Sequence, residues 1–109
     1  MKIVAYIRMP LDVKVEFDKQ LFEVSSAIQK ITDWEITKVF TEEYDGLNTN
    51  ISPVIEKCER YCKLHQISVI AIRDRTRISR LFPTYKTVIN KFKEQGINFW
   101  SCIDKEFLN

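Results

Sequence analysis

The chain has 109 residues, of which 45% are hydrophobic and 29% charged, with a formal net charge of +2. That length suits one domain with a real core and is too short for two, and the composition is that of a globular protein. The small net charge excludes a general polycation, and no apolar stretch of the sequence approaches the roughly 18 residues of a membrane span.

The first element is an apolar run, Ile3-Val4-Ala5-Tyr6-Ile7, which reads as a strand buried on both faces and delivers Arg8 to its end, just before Met9-Pro10. A single lysine and so short an apolar run do not make a signal peptide, so a cytoplasmic location is expected. Phe17, Leu21, Val24, Ile28 and Ile31 then recur every three or four residues, the stripe of a helix packed on a sheet. Residues 35–40 (EITKVF) alternate as a second, more exposed strand. Residues 44–52 are turn-rich, hold one of the two glycines and form the longest predicted loop.

Ser52-Pro53 predicts a helix start, with serine as cap and proline at the first helical position. Val54, Ile55, Cys58, Tyr61 and Cys62 supply that helix with an apolar face. Residues 67–72 (ISVIAI) are the most hydrophobic strand, followed by RDRTRISR. Tyr85, Val88, Ile89 and Phe92 mark a third helix, Gln95-Gly96 ends it, and residues 97–102 form a last strand. The order predicts an α/β fold: a three-layer sandwich around a mostly parallel four- to five-stranded sheet, with helices on both faces.

Cys58, Cys62 and Cys102 are odd in number and lack a secretion signal, which argues for reduced thiols. Cys58, Cys62 and His65 share one helix face and could hold a metal, but no fourth ligand lies nearby in sequence. Small core residues are the preferred reading, and neither a metal nor another cofactor is expected. Two glycines cannot build a phosphate loop or a dinucleotide fingerprint, and one histidine leaves a histidine-based triad unsupported.

Charge is segregated rather than abundant. Residues 73–80 carry four arginines against Asp74, while residues 33–45 hold Asp33, Glu35, Glu42, Glu43 and Asp45. In a parallel sheet, Arg8 and the segment from Arg73 to Arg80 leave their strands at the same carboxyl edge, where ligands of such folds gather. If the segment stays extended, Arg73, Arg75 and Arg77 project together; if it coils near Arg77, Arg77 and Arg80 share a face. Either arrangement converges guanidinium forks suited to phosphate, and a solvated loop with Asp74 pairing an arginine is the bland alternative. Ser79 lies among the arginines as a candidate nucleophile or simply a helix-start residue, and Tyr6 is expected to be packed.

The Tyr6-Ile7-Arg8 strand end, the Arg77-Ile78-Ser79-Arg80 segment and the order of elements resemble the N-terminal catalytic domain of serine recombinases, the resolvase and invertase family. The resemblance extends over nearly the whole chain and includes Gln20, similar to a glutamine early in the family's first helix. It implies a resolvase-like fold acting on DNA, with Arg8, Arg77 and Arg80 on the phosphate. The family's first strand ends in Tyr-x-Arg-Val-Ser, whose serine attacks DNA; here that position is Pro10. Thr76 stands where the family has an aspartate, and Ser52 where it has an arginine before a proline.

The expectation is therefore a single resolvase-like domain over residues 1–109, with neither the long dimerisation helix nor the helix-turn-helix that follows in the family. The expected role is DNA-phosphate or recombinase-partner binding through Arg8, Arg77, Arg80, Arg75 and Arg73, with Gln20 and Ser79 accessory and catalysis lost. The resemblance also allows a homodimer. An active recombinase domain using another nucleophile, and a regulatory protein-interaction domain, are the alternatives.

Overall fold

The computed structural model describes residues 1–10, 14–31, 33–44 and 53–109. In chain order they form β1 (Lys2–Pro10), α1 (Lys14–Gln29), β2 (Glu35–Tyr44), α2 (Pro53–His65), β3 (Val69–Ile72), α3 (Phe82–Lys93), β4 (Asn98–Ser101) and β5 (Glu106–Phe107). A single 3-10 turn, Arg75–Arg77, lies between β3 and α3. The strands lie in the order β2-β1-β3-β4-β5, parallel except for β5, which runs antiparallel to β4.

Strand alternation divides the core into two layers. Ile3, Ala5 and Ile7 of β1 join Val69 and Ala71 of β3 under Val24 and Ile28 of α1. Val4 and Tyr6 join Ile70 and Ile72 on the opposite face, beneath Ile55 and Cys58 of α2 and Val88, Ile89 and Phe92 of α3. The continuous apolar character of β1 and β3 follows from this two-sided covering. Full burial of each isoleucine or valine there contributes on the order of 1.5–3 kcal/mol. The expected α/β sandwich, with a mostly parallel sheet between helical layers, is the observed one.

Two helix ends use the same device. The Ile97 amide donates to the Phe92 carbonyl at 3.0 Å across Gly96, whose φ is 76°. The Ile67 amide donates to the Cys62 carbonyl at 2.8 Å across Gln66, whose φ is 56°. Each turn needs a left-handed residue, which glycine supplies without strain and glutamine does not.

The second strand is longer than its alternation predicts. It reaches Tyr44 because β1 continues to pair with it as far as Pro10, opposite Tyr44. The rest of the expected loop, including Ser52 as helix cap, lies outside the described residues, while α2 does begin at Pro53. Two-residue β5 was too short to register as a strand in the pattern of residues 103–109.

Cys58 and Cys62 are buried in the core, and His65 stacks on Tyr61 with ring centroids 4.2 Å apart. A hydrogen bond shared with Cys62, together with burial, pushes the Cys58 thiol up. Among the described residues no helix is long and apolar enough to cross a membrane, and no three His, Cys, Asp or Glu side chains gather as a metal-binding group.

Candidate functional site

β1 and β3 are parallel neighbours, so Arg8 and the arginine-rich segment emerge at one edge of the sheet. Their pairing covers only Val4 with Ile70 and Ala5 with Ala71, after which the two strands part. Into that gap comes Gln20 of α1, only 1% exposed. Its Oε1 accepts from the Arg8 amide at 3.3 Å and its Nε2 donates to the Arg8 carbonyl at 2.9 Å. One side-chain amide thus replaces the strand neighbour that β1 lacks there, which satisfies two backbone groups that burial would otherwise penalise.

Arg8 is itself buried, at 8% exposure, and its Nη1 donates to the carbonyl of Ile78 at 3.1 Å. Arg77 returns the contact: its Nη1 donates to the Arg8 carbonyl at 3.2 Å. The two guanidinium groups are therefore fixed by each other's backbone segments, 69 residues apart in sequence. A carboxyl group lies beside Arg8 from β2. Glu42 is in register with Arg8, and its Oε2 accepts from the Tyr6 hydroxyl at 3.2 Å. Burial raises the Glu42 pKa, while the Arg8 charge and the Tyr6 hydrogen bond oppose the rise.

The segment after β3 is neither extended nor a continuation of α3. Asp74 stops it: its Oδ1 accepts from the Thr76 amide at 2.9 Å and also from the Thr76 hydroxyl. That cap closes the 3-10 turn and scatters the arginines that strict alternation would align. Asp74 also holds cations, with Oδ2 2.7 Å from Arg73 Nη1 and 3.6 Å from Arg77 Nε. Burial alone would raise the Asp74 carboxyl, but the Thr76 and Arg73 hydrogen bonds and the Arg77 charge hold it below its usual value.

The five arginines consequently divide. Arg8 and Arg77 meet at the end of β1. Arg73 turns toward α1, where its Nε donates to Glu23 Oε2 at 2.6 Å. Arg75 lies 6.0 Å over the Tyr85 ring. It lines, with Arg80, Thr76, Ser79, Phe82 and Tyr85, a pocket of about 80 Å³ at the start of α3. Ser79 Oγ accepts from the Leu81 amide at 3.0 Å, a helix-approach contact. Tyr6 is packed, at 1% exposure.

Sequence reasoning did not single out Glu42 or Glu23. Glu42 was visible as one of several acidic residues, but its place beside Arg8 depends on β2 running four residues beyond its apolar pattern. Glu23 carries no sequence signal toward Arg73, since the contact spans 50 residues.

Residues 3–107 match the family described as the N-terminal domain of resolvase. No curated protein matches the sequence. Among solved structures, the N-terminal catalytic domain of TP901-1 integrase has a TM-score of 0.78 at 15% identity, covering 96% of this chain and 79% of that one. The C-terminal catalytic domain of ISC1926 TnpA, an IS607-like serine recombinase, has a TM-score of 0.77 at 17% identity, covering 94% and 68%. A resolvase family site-specific recombinase from Streptococcus pneumoniae has a TM-score of 0.75 at 15% identity, covering 98% and 75%. These likenesses are of fold, and the family match covers nearly every residue. The chain belongs to the resolvase N-terminal domain family of serine recombinases.

Proposed function

We propose that this domain binds DNA phosphate at the edge formed by Arg8, Arg77 and Arg80 and does not cleave the strand. The observation that carries the reading is the reciprocal tie between Arg8 and Arg77, which pre-sets two guanidinium groups at the carboxyl end of the sheet. A guanidinium carries five donors, and a fork held in place loses less entropy on meeting an oxyanion. Arg80 and Arg75, at the neighbouring small pocket, extend the cationic edge toward α3. Arg73 contributes least to it, because Glu23 and Asp74 both neutralise its charge.

Loss of cleavage follows from Pro10. By the family resemblance this is the position of the attacking serine, and proline has no hydroxyl with which to form a phosphodiester bond to the protein. Neighbouring hydroxyls are poorly suited to replace it. Tyr6 is buried and bonded to Glu42, and Ser79 is engaged by the Leu81 amide. DNA is the expected phosphate partner because related domains are named as recombinases and an integrase, proteins that act on DNA.

The test is fluorescence anisotropy with a labelled duplex across a salt series. Wild type is expected to bind at low salt, and Arg77→Ala and Arg80→Ala each to weaken binding roughly tenfold and lower the salt slope by about 1. Absence of binding by wild type at low salt, or unchanged binding by both variants, overturns the reading.

A further inference from the structure

The start of α3 is apolar where the fold gains nothing from it. Leu81 stands at the cap position of that helix, and its side chain makes no capping hydrogen bond. Serine, threonine, aspartate and asparagine are favoured there, because each accepts from an open backbone amide. Phe82 begins the helix, and Pro83 follows it in the first turn. Leu81 and Phe82 are 47% and 60% exposed, although a large apolar side chain stabilises a fold only by leaving water. Local choices made against the fold are expected where a surface has another use.

The neighbours of Phe82 indicate which use. Its ring centroid lies 6.1 Å from that of Tyr85, and Arg75 lies 6.0 Å over the Tyr85 ring. Tyr85 is buried and its hydroxyl donates to the Asn109 carbonyl at 3.1 Å, so the ring that Phe82 and Arg75 adjoin is held in place. Phe82 and Tyr85 share with Arg75 and Arg80 the pocket of about 80 Å³, about the space of two or three waters. That admits the oxygens of a phosphate but not a nucleobase, which would lie outside, against the exposed Phe82 ring. Cations interleaved with aromatic rings in this way suit a nucleic-acid strand, the cations taking its backbone and the rings its base faces.

We propose that Phe82 is a stacking surface for an unpaired DNA base, and that this edge takes locally opened DNA in preference to an intact duplex. The proposal rests on the phosphate binding proposed for Arg8, Arg77 and Arg80, and it names the form of DNA that their edge favours. In a duplex each base has neighbours on both faces and a partner along its edge. A ring set beside phosphate-holding arginines then meets no free base face. Where pairing is interrupted a base leaves the stack, and its face becomes available. Phenylalanine suits the task, since it offers a large flat face with only two side-chain torsions to order. Every base has such a face, so the preference is for an unpaired base and not for a sequence. Arg75 and Arg80 on the same pocket favour a polyanionic strand over an apolar protein surface, which would strip water from both charges without pairing them.

Fluorescence anisotropy on three labelled DNAs with the same number of phosphates tests the stacking. They are an intact duplex, that duplex with a short central mismatch bubble, and the bubble with abasic sites in place of its bases. Wild type is expected to bind the bubble roughly tenfold more tightly than the duplex, and to lose that gain when the bases are removed. Phe82→Ala is expected to bind all three alike, at the wild-type duplex affinity, while Phe82→Trp keeps the preference. Arg80→Ala weakens binding to all three by a similar factor. Equal binding of bubble and duplex by wild type, a preference that survives Phe82→Ala, or one that survives loss of the bases each overturns the stacking and leaves phosphate binding standing. Binding to none of the three overturns phosphate binding, and the stacking proposal with it.

Discussion

Arg8 and Arg77 exchange hydrogen bonds between side chain and backbone: Arg8 Nη1 donates to the carbonyl of Ile78, and Arg77 Nη1 donates to the carbonyl of Arg8. Neither arginine is placed by its own segment alone. The end of β1 and the turn after β3 are therefore one unit, and their variants should not behave independently. Arg8→Ala and Arg77→Ala, singly and together, should show a coupling of about 0.5–3 kcal/mol in a double-mutant cycle for unfolding in urea. Strict additivity would mean that the two contacts are energetically separate.

Glu42 is in register with Arg8 and feels its charge, so under the proposed phosphate binding it sets the charge an oxyanion meets there. Its raised pKa, caused first by burial, means that ionised Glu42 is disfavoured in the folded protein. The stability this group contributes is fully present below its unfolded pKa and is lost as pH rises through the higher folded value. Binding should move the same way, because protonation removes a negative charge beside Arg8. Duplex affinity is expected to increase as pH falls through the Glu42 pKa, and Glu42→Gln should abolish that component while binding more tightly at neutral pH. An unchanged pH profile in Glu42→Gln, measured by anisotropy at constant ionic strength, would exclude this role.

Asp74 responds to pH with the opposite sign. Its depressed pKa gives stability that is present above the unfolded value and is lost as pH falls through the folded one. Because Asp74 caps the turn that carries Arg77, Asp74→Ala should lower stability by about 1 kcal/mol and flatten the acid limb of the stability profile. Urea denaturation at a series of pH values below neutrality reads both effects.

The amide oxygen and nitrogen of Gln20 both serve the Arg8 backbone, so in the proposed phosphate edge Gln20 positions Arg8. Gln20→Ala leaves a buried amide without its acceptor, a change expected to destabilise the fold by roughly 1–3 kcal/mol. The Arg8 carbonyl keeps Arg77 as a donor, so Gln20→Ala combined with Arg77→Ala should cost more than either change predicts alone. Thermal and urea unfolding of the three variants measures it.

A gain is expected at Gln66, whose φ of 56° is the conformation Gly96 supplies at the end of α3. Gln66→Gly should stabilise the protein by up to about 1 kcal/mol, the strain of a left-handed residue less the added freedom of the unfolded chain. A lower urea midpoint would contradict the strain argument.

The fold was legible because its signals are local. The apolar runs of β1 and β3, the stripe from Phe17 to Ile31, Pro53 at a helix start and Gly96 past a helix end each report their own conformation. The edge was legible as a location, since parallel strands put Arg8 and Arg73–Arg80 together, but its internal division was not. Whether Arg73 joins Arg77 or leaves for Glu23 depends on Asp74 capping a single turn and on a carboxylate 50 residues away. The role of Gln20 was hidden for a related reason: it arises from the parting of β1 and β3 after Ala5, a property of the sheet and not of either strand's sequence.

The central claim is that the edge at Arg8 and Arg77 holds DNA without joining it covalently. Labelled duplex and protein, mixed at low salt and divided between a native and a denaturing gel, test it in one measurement. The account predicts a retarded complex in the native lane that disappears entirely under denaturation. A band that survives denaturation would show a covalent bond and a working nucleophile, and the absence of any native complex would show that the edge does not bind DNA.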